Sequence, residues 1–203
     1  MLPYLRPPII NMRALVGDDI AAARTVELGL MELGSLVRQM QADLALFDFA
    51  MSNLAAQEKD EVPDEVSIEW LGLAARDGAS AVFKFAEDMA AITIAMNRCP
   101  MLLSLVDHTQ RRAASKAFGT YFPDFAGIRH SGQHGAAELY GAGKGDKHLL
   151  QDGALFINNL FNRRLETSFL GRLVSYELDT RTLDRLGEVR DLYWKAFAKA
   201  ALY

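Results

Sequence analysis

The sequence predicts a mainly α protein built on a long antiparallel helical hairpin, with a small β-hairpin before the last helix. Three observations carry that prediction. Two early stretches repeat apolar residues every three or four positions. Only the short segment DEVPDE (60–65) parts them. Late in the chain, VSYELD (174–179) alternates apolar and polar residues, as a half-buried strand does.

The first stretch sets Val26, Leu30, Leu33, Val37, Met40, Leu44, Phe47, Met51 and Leu54 on one seam of a helix over 19–57. Asp18 and Asp19 precede it and suit its positive N-terminal end. Gly29 and Gly34 each cost such a helix about 1 kcal/mol relative to alanine, which permits a local bend. The second stretch, 64–99, carries Ile68, Leu71, Ala75, Gly78, Val82, Phe85, Met89, Ile92, Met96 and Cys99. Pro63 suits its opening, and the small pair Ala75 and Gly78 would let another helix come close. A short link between matching seams implies an antiparallel pair.

Pro100 ends the second helix, and a third is expected over 101–118. Pro123 and Asp124 then look like the first turn of a helix over 123–140. GAGKGDK (141–147) reads as a flexible loop. A β-hairpin is expected over 163–178, turning near Gly171. Asp179 or Thr180 caps a last helix over 180–201, with Leu183, Leu186, Val189, Tyr193 and Phe197 near one face. All of this fits one domain, residues 1–203.

Composition narrows the function. Half of the residues are hydrophobic, enough for a core and too many for a disordered chain. The single cysteine, Cys99, permits no intrachain disulfide and suits a reducing cytoplasm. The N-terminal MLPYLRPPII is not a signal peptide, and no apolar run approaches membrane-spanning length, so no membrane partner is expected. A net charge of −4 argues against a general nucleic-acid coat. The charge is uneven: residues 1–103 hold 8 Lys and Arg against 15 Asp and Glu, and the remainder 14 against 11.

The positive half contains IRHSGQH (128–134). On a helix, His130 and His134 lie four apart on one face, and the long stem of Arg129 can swing beside His134. An imidazole titrating near neutrality beside a permanent cation suits phosphodiester chemistry. Gly127, Gly132 and Gly135 fall in the same stretch and suggest close approach of another helix or of a substrate backbone. The plainer alternative is a partly unwound segment with solvated histidines. A metal reading would use His130, His134 and Glu138, with His108 as a fourth ligand, but no H-E-x-x-H or paired E-x-x-H stands behind it. The GAGKGDK loop lacks phosphate-loop spacing. Arg111, Arg112 and Lys144 are the candidate substrate-binding cations.

The six residues Arg129-His130-Ser131-Gly132-Gln133-His134 resemble the R-x4-6-H motif of the HEPN superfamily. That family is an α-helical bundle around two long antiparallel helices, with the motif near the start of a later helix. The resemblance covers roughly residues 20–140; the expected β-hairpin lies outside it. It implies a metal-independent, cofactor-free ribonuclease with Arg129, His130 and His134 as catalytic residues. His134 would be the acid/base, Arg129 would stabilise the charged transition state, and His130 would position one or the other. It also implies a homodimer that completes the site. Other members are non-catalytic interaction or nucleotide-binding modules, including toxin–antitoxin partners.

Overall fold

Both seams form helices close to their expected limits: α1 spans Asp18–Ala55 and α2 spans Glu65–Met96. The computed structural model describes residues 6–13, 15–57, 62–127, 146–156 and 159–201. α1 starts at the two aspartates. Asp64 caps α2: its Oδ1 accepts the Val66 N–H at 3.2 Å, and its Oδ2 accepts the Ser67 N–H at 3.2 Å and hydroxyl at 2.6 Å. Those bonds, the Ser67 hydroxyl first, hold the Asp64 carboxyl below the usual carboxylate range. The helices run antiparallel. Gly29 meets Ile92, Met40 lies beside Gly78, Phe49 touches Trp70 and Asn53 bonds Ser67, so partners on α2 fall as positions on α1 rise.

Among the described residues three shorter α-helices follow: α3 (Pro100–Leu105), α4 (His108–Tyr121) and α5 (Thr180–Ala196). The single helix expected over 101–118 is therefore two. Val106 is extended, and Asp107 begins a new helix by accepting the Thr109 and Gln110 N–H groups at 2.9 and 3.0 Å. The last helix stops at Ala196, short of the expected 201, and a 3-10 turn covers Ala198–Ala200. Asp179 caps α5 through the Thr182 N–H at 2.7 Å. Of the expected 123–140 helix, residues 125–127 are helical and 128–140 lie outside the described residues.

The expected hairpin is present and has gained a strand. β1 (Asn159–Phe161), β2 (Arg164–Phe169) and β3 (Arg172–Glu177) form an antiparallel sheet in that order. Leu170 and Gly171 join β2 to β3, both with positive φ, as a tight two-residue hairpin turn requires. Asn162, at φ 55, turns β1 into β2. Asparagine tolerates that left-handed region better than most side chains.

Two compact units divide the chain. The first comprises Met1–Arg38, Lys84–Pro123 and Leu183–Tyr203. Its core includes Leu30, Leu33, Phe85, Ile92, Leu186, Val189, Tyr193 and Phe197, all fully buried. Phe85 stacks on Phe118 with centroids 5.8 Å apart. The glycines of α1 are close-approach points, and α1 runs through them as one helix. A Cβ on Gly29 would sit 2.5 Å from Ile92 Cγ1, and one on Gly34 would sit 2.9 Å from Trp194 Cζ2. The approach at Gly34 lets Trp194 Nε1 donate to the Leu30 carbonyl at 2.9 Å.

The second unit comprises Gln39–Phe83 and Asp124–Thr182. Met40, Phe47, Ala75, Val82, Leu165, Val174, Tyr176 and Leu178 fill its core. The alternation in VSYELD holds: Val174, Tyr176 and Leu178 are all buried. The close approach at Gly78 is made chiefly by the sheet side, since a Cβ there would lie 2.7 Å from Tyr176 Oη and 3.0 Å from Leu178 Cδ1. Arg163 lies over the Phe47 ring and pairs with Asp48. Beyond that contact the seams run on uncovered: Met51 and Ile68 are exposed, and Leu54 and Leu71 are half-buried.

Candidate functional site

Arg129, His130, His134 and Lys144 all lie within 128–145, outside the described residues. The chain on either side is described, and it returns to one place. Before the stretch, Asp124 pairs with Arg172 at 3.3 Å, and Phe125 lies 6.1 Å from Phe83 between ring centroids. A Cβ on Gly127 would sit 3.1 Å from Phe169 Cδ1 and 3.3 Å from Val174 Cγ1. After the stretch, the His148 ring lies 5.6 Å from that of Phe169, and its Nδ1 accepts the Leu170 N–H at 3.2 Å. The described residues flanking 128–145 on either side thus dock at the β2–β3 turn, Phe169–Arg172. Gly127 has a close neighbour, and it is the sheet rather than the helix or substrate backbone expected. Gly132 and Gly135 lie outside the described residues.

Arg111 and Arg112 sit side by side on α4, in the first unit. Arg111 is half-buried. Its Nη1 donates to Thr93 Oγ1 at 3.2 Å, and Thr93 Oγ1 lies 3.3 Å from the Tyr193 hydroxyl. The Arg111 Nε is buried without a hydrogen-bond partner. Burial, the largest effect, raises the Tyr193 hydroxyl pKa; Thr93 and Arg111 pull it back. Arg112 is exposed, and its Nε donates to the His108 carbonyl at 3.2 Å. His108 Nε2 lies 3.1 Å from the Leu103 carbonyl, so that nitrogen is engaged with backbone. Among the described residues no three His, Cys, Asp or Glu side chains converge as a metal requires.

Sequence reasoning missed one cluster in the second unit. Asp43 is buried, and its Oδ2 has no hydrogen-bond partner. Burial first, and then the Asp77 carboxylate, push its pKa up to about 7. Tyr176 donates its hydroxyl to Met40 Sδ at 3.0 Å. Burial, then Asp43 and Asp179, raise the Tyr176 hydroxyl well above its ordinary value. On a bare helix Asp43 reads as one more surface acid beside the seam residue Leu44; the fold brings it near Asp77 of α2 and Tyr176 of β3. The first unit also holds a cleft of about 690 Å³ between the start of α1 and the end of α2. Ala21, Ala22, Ala91, Ala95 and Ile94 line much of it, with Asp18 and Arg98 as its charged groups.

No protein-family model, curated protein or solved structure matches this chain. The HEPN resemblance rests on the six-residue motif and the order of elements.

Proposed function

We propose that the protein is a HEPN-like, metal-independent endoribonuclease whose site is built on Arg129, His130 and His134 and completed across a homodimer. The observation that carries this reading is the spacing Arg129-His130-x3-His134 downstream of a long antiparallel helical hairpin. The return of both flanks of 128–145 to the β2–β3 turn supports it, because a catalytic segment needs a rigid base.

The chemistry follows from the residue types. His134 removes the proton from a ribose 2′-hydroxyl, and the 2′-oxygen bonds to the adjacent phosphorus. The P–O5′ bond breaks, and the proton is returned to the departing 5′-oxygen. Arg129 carries the negative charge that grows on the phosphoryl oxygens, and His130 positions the phosphate or the guanidinium. Lys144, in the same stretch of chain, is the further cation that would bind the substrate's phosphates. A partner protein that covers this site would act as an antitoxin.

The test is to incubate the purified protein with varied single-stranded RNAs. The expected outcome is fragments ending in 2′,3′-cyclic phosphates, unchanged by EDTA, with DNA of the same sequence left intact. Intact RNA throughout would favour a non-catalytic interaction or nucleotide-binding module. Activity abolished by EDTA and restored by zinc would favour metal chemistry at His130, His134 and Glu138.

A further inference from the structure

The hairpin end of the second unit carries an apolar face that the other described residues leave exposed. On α2, Val66, Trp70 and Leu73 are spaced four and three apart, so they form one stripe roughly 10 Å long. Val66 is 53% exposed and Leu73 44%. Across the pair, Phe49 of α1 is 55% exposed, and its ring lies 5.7 Å from Trp70. Single exposed apolar residues are ordinary on a protein surface; four that adjoin across two helices are a patch. The three α2 residues lie about 140–160° around the helix axis from the seam residue Ile68, and Trp70 meets Phe49 of α1 beside them.

The border of the patch carries three acids and one cation, Arg76. Glu65 and Glu69 lie one turn apart along one flank of the stripe, and both are exposed. Asp77 closes the stripe at its far end. We infer that this face is the docking surface for a basic amphipathic helix of a partner protein. A third helix can lay apolar anchors at i, i+3 or i+4, and i+7 along this face, matching the Val66–Trp70–Leu73 spacing. Lysines or arginines beside those anchors meet Glu65 and Glu69. A second copy of this chain is a poorer occupant, because a two-fold contact would set the acidic border against itself. An anionic membrane is repelled for the same reason. This surface is independent of the chemistry at Arg129 and His134.

The probe is a fluorescein-labelled 18-residue peptide of leucine and lysine, patterned to give one apolar helical face. Two control peptides keep the leucines: one replaces every lysine by glutamate, and one scrambles the pattern. Fluorescence anisotropy at 0.15 M salt should give saturable binding of the lysine peptide, with Kd on the order of micromolar, and none of either control. Phe49→Ser with Leu73→Ser should weaken binding at least about tenfold, as expected for loss of central apolar anchors. Glu65→Lys with Glu69→Lys should reverse the preference toward the glutamate peptide. All four sites are exposed, so circular dichroism should match the parent; if the serine pair unfolds the protein, the charge-reversed pair decides alone. Equal binding of the lysine peptide by parent and charge-reversed protein, or no binding by the parent, would overturn the proposal. So would a dimer in sedimentation equilibrium that the serine pair dissolves, because the face would then belong to a second copy.

Discussion

The two halves of α1 share one heptad pattern and meet different neighbours. In the first unit, residues 18–38 face side chains of α2 and α5. Two glycines bring Ile92 and Trp194 against the α1 backbone. Two of the donors buried there find carbonyl acceptors, Trp194 Nε1 at Leu30 and the Tyr193 hydroxyl at Met89 at 3.1 Å, while the Arg111 Nε has none. In the second unit, residues 39–55 face a strand. The Tyr176 hydroxyl has a thioether as its acceptor, and Asp43 keeps one oxygen without a partner. Apolar periodicity therefore specifies which face of a helix is buried, and the element opposite decides whether the polar atoms on that face are satisfied.

The largest expected effect probes what the halves share. Phe85 in the first unit and Phe47 in the second are both fully buried. Phe85→Ala and Phe47→Ala should each cost about 3–5 kcal/mol, the range for emptying an aromatic core site. Chemical denaturation gives the values; a midpoint unmoved by either change would break the shared-seam description.

A smaller effect separates the halves. The Asp43 pKa is raised from 3.8 to about 7 in the folded chain. Well below pH 3.8 the carboxyl is protonated whether folded or not, and its stabilising contribution is fully present. As pH rises toward 7 the unfolded chain ionises and the folded chain does not, so stability is lost. The loss is on the order of 3–4 kcal/mol, complete just above pH 7. Asp43→Asn, neutral at every pH, should match the parent at about pH 3 and exceed it increasingly as pH rises through about 7. Asp88 in the first unit is raised less, to about 6, by burial first and then by Glu32 and Glu87, against the pull of Lys84. Asp88→Asn should flatten the pH profile by less than Asp43→Asn does. Parallel melting-temperature profiles for parent and Asp43→Asn between pH 4 and 8 would remove the distinction.

The long helices were legible because a seam repeated over many turns leaves few alternatives. The break at Val106–Asp107 was not, since both neighbouring segments are helical and only the capping bonds of Asp107 reveal the boundary. β1 escaped for a different reason: Asn159–Phe161 is three residues long, too short to display alternation. Asn162 in the segment FNRR was the available signal, a turn residue between two strands. The uncovered end of the hairpin was also hidden, because Met51 and Ile68 continue the seam faithfully beyond the last covering contact. Of the candidate site, the sequence supplies the motif and its chemistry; the structure adds the shared anchoring of its two flanks on Phe169–Arg172.

The most direct measurement of the central claim compares RNA cleavage by the parent, His134→Ala and Arg129→Ala, with a thermal melt of each. The account predicts cleavage by the parent and a fall of about two to four orders of magnitude in His134→Ala, the usual share of general acid–base catalysis. Arg129→Ala should fall similarly, and all three melting temperatures should agree. Parent-level cleavage by both variants, or no cleavage by the parent on any RNA, would contradict it.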